Sequence, residues 1–143
     1  MKHNVYKVLT TLAVALLIGV PMSHAQSRLQ ASVPFAFSLN SNYMPDGSYE
    51  ISPAGGSAIV VRNLDAKKSC FLVGFMHVEA SQASGTPNAK LVFHKYDNQY
   101  FLSEIWSGQS STGIALPESK REKELQTANN LDHQPELVIV AMK

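Results

Sequence analysis

Three side chains in this sequence could do acid–base or metal chemistry: His77, His94 and Glu104. Imidazole and carboxylate groups act as general acids and bases, and both bind metal ions. His77 stands near the end of an apolar segment at residues 69–79, and the other two stand in residues 89–106. The histidines after residue 25 have no His-x-His or His-x-x-x-His spacing, and the chain has one cysteine. We therefore treat His94, Glu104 and His77 as candidates for a polar site and predict no metal site and no cofactor.

Glu104 is the carboxylate most open to a catalytic role, because it shares a predicted strand face with large apolar side chains. A carboxylate on a buried face needs a charged or hydrogen-bonding partner. The sequence places no second carboxylate beside it for acid–base work, and it lacks the Gly-x-Ser-x-Gly nucleophile motif. The pattern therefore predicts no catalytic residue.

The element that must position His94 and Glu104 is a β-hairpin at residues 89–106. Its sequence is rich in β-branched and aromatic residues. Asp97 and Asn98 tolerate the left-handed backbone that a two-residue turn requires, and a three-residue loop that includes Gln99 is the alternative. Because side chains alternate between faces, the first strand carries Leu91 and Phe93 on one face and Val92, His94 and Tyr96 on the other. In the second strand, Tyr100, Leu102, Glu104 and Trp106 face opposite to Phe101, Ser103 and Ile105.

Both faces of this hairpin are apolar. In a hairpin with one solvent-exposed face, apolar and polar residues should alternate along each strand. We therefore expect it to lie centrally in the sheet. One face should pack on the core, and the other should be covered by a helix, a loop or a partner chain.

The rest of the chain predicts short strands separated by turns. Pro45-Asp46-Gly47 is a strong turn. Residues 69–79 form a second segment with two apolar faces, which we expect to pair near the hairpin, and Gly74 inside it indicates a bulge or bend. The remaining strands are predicted at residues 32–39, 48–52, 57–62, 113–116 as an edge strand, and 135–142.

One short helix is predicted before the last strand. Ser119 and Glu122 have the spacing of a capping box, so the helix should begin after Ser119 and run to Gln126 or Ala128. Leu125 is its expected apolar contact. The resulting fold class is all-β, a small antiparallel barrel or sandwich of about eight strands, and we favour a barrel closed by pairing of the last strand with the first.

The N-terminal residues have the layout of a secretory signal peptide. Lys2 and Lys7 precede an apolar run at residues 8–20, and a small-x-small site ends at Ala25. We expect cleavage near Ala25, which leaves residues 26–143 as one domain in the periplasm or outside the cell. That domain is near neutral and has no further long apolar run, which argues against nucleic-acid binding and a transmembrane segment.

Cys70 is the only cysteine, so no intrachain disulfide can form. Free cysteines are usually buried as small hydrophobic residues, and we interpret Cys70 in this way. An intermolecular disulfide or a reactive thiol is the alternative.

Four segments resemble a family of small exported bacterial proteins of the acidobacterial type. They are VPFAF at residues 33–37, MPDGSYEI at 44–51, KLVFHKYDNQYFLSEIW at 90–106 and LPESKREKEL at 116–125. The resemblance implies export and one compact domain, and it assigns no functional residue.

Three functions stay open at this point. The first is a non-enzymatic protein that acts through contacts with other copies of itself, with other proteins or with the envelope, because a partner can cover an apolar hairpin face. The second is a barrel that binds a small hydrophobic ligand. The third is an enzyme, metal-dependent or not, that uses His94, Glu104 and His77. We favour the first.

Overall fold

The computed structural model of the chain describes residues 28–79, 88–128 and 135–143. The predicted signal peptide, its cleavage site and His133 lie outside these residues. Within them the chain forms eleven strands and one helix: β1 Leu29–Val33, β2 Phe37–Leu39, β3 Asn42–Met44, β4 Gly47–Pro53, β5 Ile59–Asn63, β6 Ser69–Leu72, β7 Met76–Glu79, β8 Lys90–Tyr96, β9 Gln99–Trp106, β10 Thr112–Ala115, α1 Lys120–Ala128 and β11 Glu136–Ala141.

The strands form two sheets of mainly antiparallel pairs. One sheet has the order β1-β4-β5-β6, and the other has the order β11-β8-β9-β10-β7. Strand β2 joins the second sheet through one parallel pair, Ser38 with Phe101, and carries β3 on its other side. The hairpin β8–β9 lies in the interior of its sheet, as its two apolar faces predict.

The core lies between the two sheets and is built from aromatic and aliphatic side chains of both. Phe37 packs edge-on against Phe93 and tilted against Tyr49, each at a ring-centroid distance of 5.2 Å. Phe35 stacks on Tyr100 at 4.0 Å. Burial of a large side chain of this kind contributes about 1.5–3 kcal/mol, so this cluster accounts for much of the stability of the fold.

The all-β class and the short helix before the last strand are confirmed, and a sandwich fits the arrangement. The two sheets do not close into a barrel. Strand β1 meets the C-terminal residues through a single bridge, Ala31 with Met142, and through two backbone hydrogen bonds between Gln30 and Lys143. The expected pairing of the last strand with the first is thus limited to this one point among the described residues.

The described strands outnumber the eight expected, because two predicted strands are divided and β3 is additional. Pro34 lacks a backbone N–H and ends β1, so residues 32–39 become β1 and β2. Gly74, with φ of +72°, separates β6 from β7.

Residues 69–79 therefore differ from the prediction. Strand β6 pairs with β5 in the first sheet, whereas β7 pairs with β10 in the second sheet and is separated from the hairpin by that one strand. The bend expected at Gly74 is the point where the chain passes from one sheet to the other. Only one face of β6 is buried, although both of its faces are apolar.

The hairpin has the predicted two-residue loop. Tyr96 pairs with Gln99 across it, and Asp97 adopts a positive φ of 52°. Its second strand contains a β-bulge, because Val92 pairs with Glu104 while Phe93 pairs with Leu102, which leaves Ser103 as the extra residue.

This bulge corrects the predicted faces of β9. Leu102 and Ile105 both pack into the core, whereas Glu104 and Trp106 lie on the opposite, outer face with Phe101. The predicted faces of β8 are confirmed. Strand β10, expected at an edge, lies between β9 and β7.

A buried polar network holds the Pro45-Asp46-Gly47 turn. The Tyr49 hydroxyl donates to the carbonyl of Pro45. The side chain of Asn63 is fully buried and accepts a hydrogen bond from the backbone N–H of Ala66 at 2.6 Å. Burial raises the pKa of Tyr49, and a hydrogen bond with Asn63 lowers it by less, so the net shift is upward.

Candidate functional site

The outer face of the hairpin is the polar site that the structure offers. Helix α1 supplies the residues opposite it. The Ser119 hydroxyl accepts a hydrogen bond from the backbone N–H of Glu122 at 3.1 Å, which is the N-cap half of the predicted capping box. In a capping box the Glu122 carboxylate would turn back to the backbone N–H of Ser119. Here it points to the sheet instead. Glu122 is the buried residue of α1, and Leu125, its expected apolar contact, is half-buried.

His94 and Glu122 form a buried pair between sheet and helix. His94 Nδ1 lies 2.8 Å from Glu122 Oε1, and the two side chains are 21% and 5% exposed. A carboxylate so deeply buried needs this hydrogen-bonding partner, because its desolvation is otherwise uncompensated. A carboxylate that holds Nδ1 also fixes the orientation of the ring and of Nε2, the arrangement used in general-base catalysis.

A second polar contact lies one turn further along α1. Gln126 donates from its side-chain amide to the Tyr96 hydroxyl at 2.8 Å and to Glu118 Oε1 at 2.8 Å. Burial raises the pKa of Tyr96, the hydrogen bond from Gln126 lowers it, and the nearby carboxylates of Glu122 and Glu118 raise it. Helix α1 is thus joined to the sheet mainly by side-chain hydrogen bonds.

Glu104 lies on the same outer face, further along β9. Its Oε2 accepts a hydrogen bond from Trp106 Nε1 at 2.7 Å. Lys90 pairs with Trp106 across the hairpin, and its Nζ lies 5.6 Å from the centre of the indole ring. Gly113 also packs against that ring, and an added Cβ there would lie 2.6 Å from Cδ2. Glu104 therefore orients the indole.

His77 does not join the other two candidates. It pairs with Ile114, which also pairs with Ile105 and so belongs to the inner face, whereas Glu104 pairs with Ala115 on the outer face. Strand β7 lies three strand spacings from β8, about 14 Å at the usual spacing. The idea that His77, His94 and Glu104 share one metal site is therefore wrong.

The sequence missed Glu122 and Gln126 as partners of the hairpin. Glu122 was recognised only as a capping residue, because that role depends on residues three positions apart, whereas His94 is 28 positions away. Among the described residues, no group of three or more His, Cys, Asp or Glu side chains is arranged to hold a metal ion. Nor does any described helix have the length and apolarity needed to cross a membrane.

Large apolar side chains are exposed at the outer strands of both sheets. Phe71, Val73 and Met76 are 66–68% exposed on β6, on β7 and on the bend between them. We call these three residues the 71–76 edge. Leu137 and Ile139 on β11 are 61% and 59% exposed.

Cys70 is buried beside the 71–76 edge, as the sequence suggests. Its side chain is 6% exposed, and Asn42 Nδ2 donates to its Sγ at 3.4 Å. Burial raises the pKa of the thiol, while the hydrogen bond from Asn42 lowers it.

Comparison with known proteins found no protein-family model, no curated sequence and no solved structure that matches this chain. The function therefore has to be argued from the surfaces and side chains described above.

Proposed function

We propose that this chain is exported, loses residues 1–25, and then acts as a non-enzymatic domain that binds another protein through the 71–76 edge. The layout of Lys2, the apolar run at 8–20 and Ala25 supports export. The single observation that carries the binding role is the exposure of Phe71, Val73 and Met76 by about two thirds each. Exposed side chains of this size, grouped within six residues of the chain at the edges of the two sheets, mark interaction surfaces.

The backbone at this edge supports the same proposal. Among the described strands, β6 ends its sheet and pairs only with β5, and β7 ends the other sheet and pairs only with β10. Edge strands present backbone N–H and C=O groups that have no partner in their own sheet. A partner can therefore combine an added strand with apolar contacts to Phe71 and Met76.

The surroundings of the edge indicate the chemistry of the partner. Lys68 donates to the carbonyl of Tyr43 and lies 5.9 Å from its ring, which is 64% exposed. Lys67 is exposed beside it. An apolar partner surface bordered by carboxylates suits this arrangement, because complementary charges at the rim steer association.

Photocrosslinking in the native host tests the proposal. The photoreactive residue p-benzoylphenylalanine replaces Phe71 or Met76 in the exported protein, and replaces Lys123 on α1 as the matched exposed control. We expect a defined crosslinked species from positions 71 and 76 that is absent from position 123. A species of twice the chain mass identifies a second copy as the partner. Equal crosslinking at all three positions, or none, contradicts the proposed surface.

The export step has its own test. N-terminal sequencing of the protein from the exported fraction should begin at Gln26. Retention in the cytoplasm would contradict export and leave the binding surface to be judged by the crosslinks alone.

A further inference from the structure

A cavity of about 220 Å³ opens between the two sheets at one end of the sandwich. Ile51 and Ile59 line it from the first sheet, and Ile105 and Ile114 line it from the second. Ile51, Ile59 and Ile105 are buried, so they form its inner wall. It lies on the inner face, opposite to the His94–Glu122 pair.

The sequence explains why this space stays open. The isoleucines are β-branched and restricted at χ1, which limits how far their side chains can turn to fill the space between the sheets. The half-buried part of the lining carries three hydroxyl groups, those of Ser52, Ser107 and Thr112, and the last two lie where β9 ends and β10 begins. None of the described residues that line the cavity is charged.

We propose that this cavity binds a small uncharged amphiphile, a single alkyl chain of about six to eight carbons with a hydroxyl group at one end. An apolar cavity of about 150 Å³ in another protein holds benzene, so the present volume suits a slightly larger ligand. Drug-sized ligands occupy pockets of about 300–1,000 Å³, so a molecule of that size does not fit wholly inside this cavity. The isoleucines take the alkyl chain, and Thr112 takes the hydroxyl.

The size limit leads to a measurable series. Each methylene that enters an apolar site strengthens binding about fourfold, so affinity should rise about fourfold for each added carbon, or about 16-fold from 1-butanol to 1-hexanol. The increase should stop near 1-octanol, when the chain fills the cavity. An increase that continues unchanged to 1-decanol would indicate nonspecific binding and overturn the proposal.

Methyl NMR on the protein expressed from its full sequence locates the site. With isoleucine methyl groups labelled, titration with 1-hexanol should shift the resonances of Ile51, Ile59, Ile105 and Ile114 to saturation. Ile139, exposed on β11, reports binding outside the cavity. Shifts that do not saturate, or that are as large at Ile139, would overturn the proposal.

Two variants give a matched comparison. Ile114→Phe narrows the cavity and should weaken 1-hexanol binding at least about tenfold, whereas Ile139→Phe makes the same change at an exposed position and should leave it unaltered. Thr112→Val keeps the shape of the side chain and removes its hydroxyl. It should weaken 1-hexanol binding about fivefold, as for a lost hydrogen bond, and leave toluene binding unchanged. Because Thr112 is half-exposed and the change is small, this variant should fold. It therefore tests the proposed site even if Ile114→Phe fails to fold.

The alkyl group has two possible sources, a free alcohol or the acyl chain of a lipid. Flotation of the protein with phosphatidylcholine vesicles distinguishes these two sources. Vesicle binding that is lost in Ile114→Phe indicates the lipid chain, and 1-hexanol binding without vesicle binding indicates a free ligand. If the protein binds neither, the proposal is wrong.

Discussion

His94 Nδ1 and Glu122 Oε1 approach to 2.8 Å although the two residues are 28 positions apart. This contact joins β8, an interior strand of the larger sheet, to helix α1 and leaves the Glu122 side chain only 5% exposed. The outer face of the hairpin, which the sequence shows to be apolar, is thus covered by a helix that contacts it through polar groups.

The first prediction concerns this pair. His94→Leu leaves Glu122 buried without its partner and should reduce the free energy of unfolding by about 3 kcal/mol. Glu122→Gln keeps a hydrogen-bond acceptor and should cost about 1 kcal/mol. Chemical denaturation followed by circular dichroism measures both.

The same experiment has an internal control. Arg121 and Glu124 form an exposed ion pair at 3.5 Å, with side chains 60% and 53% exposed. Glu124→Gln should therefore change stability by less than about 0.5 kcal/mol. A His94→Leu effect as small as this would show that Glu122 is not held by His94.

The second prediction concerns Cys70. Its burial raises the thiol pKa above the usual 9.0, so less reactive thiolate is present at pH 8. A disulfide reagent such as DTNB should therefore react at least about tenfold more slowly with the native protein than with the denatured one. The double variant Ser69→Cys with Cys70→Ser moves the thiol to a neighbouring exposed position and should react at the denatured rate. Fast reaction of native Cys70 would support a reactive thiol.

The third prediction uses Trp106, the only tryptophan in the chain. Gly113→Ala places a Cβ about where the indole lies, 2.6 Å from Cδ2, so the ring must move. We expect a loss of about 1–3 kcal/mol and a shifted tryptophan emission spectrum, as for an overpacked site. Gly56→Ala, at an open position with φ of +57°, costs backbone strain but should leave the emission unchanged. Unchanged emission in Gly113→Ala would contradict the packing of Gly113 on the ring.

The fourth prediction is a pH dependence. Burial raises the pKa of Tyr49 above 10.0, so the unfolded chain releases this proton at lower pH than the folded one. At a pH between the unfolded-state and folded-state pKa of Tyr49, the folded state binds more protons than the unfolded state. The free energy of unfolding therefore falls as the pH rises above 10.0. Tyr49→Phe should flatten this alkaline decline in melting temperature, while costing about 1 kcal/mol at pH 7 through the lost hydrogen bond to Pro45. Tyr43→Phe, at an exposed tyrosine, should keep the wild-type profile.

Local patterns in the sequence were enough to predict the hairpin, its two-residue loop, the helix after Ser119 and the turn at Pro45. Each of these depends on residues a few positions apart. The contact of His94 with Glu122 and the passage of the chain between sheets at Gly74 depend on tertiary packing, which no local pattern encodes. The exposed Phe71 was misread for the same reason, because an apolar residue on an edge strand looks identical in sequence to a buried one.

The faces of β9 were mispredicted for a more specific reason, which leads to the fifth prediction. Strict alternation assumes an uninterrupted ladder, and Ser103 interrupts it. Deletion of Ser103 should therefore preserve the fold, because Leu102 and Ile105 then face the core and Glu104 and Trp106 face outward by simple alternation. The expected cost is about 1 kcal/mol, since the backbone hydrogen bond from Leu116 N–H to the Ser103 carbonyl is lost.

Deletion of Val60 is the matched control for this test. Val60 lies in β5, where the register is unbroken and the flanking Ile59 and Val61 are both buried. Without it, one of these two side chains must turn to solvent, so this variant should lose cooperative unfolding. Thermal denaturation of the two deletion variants compares them directly. If deletion of Ser103 is as damaging as deletion of Val60, then Ser103 is part of a regular ladder and the alternating faces first predicted for β9 are correct.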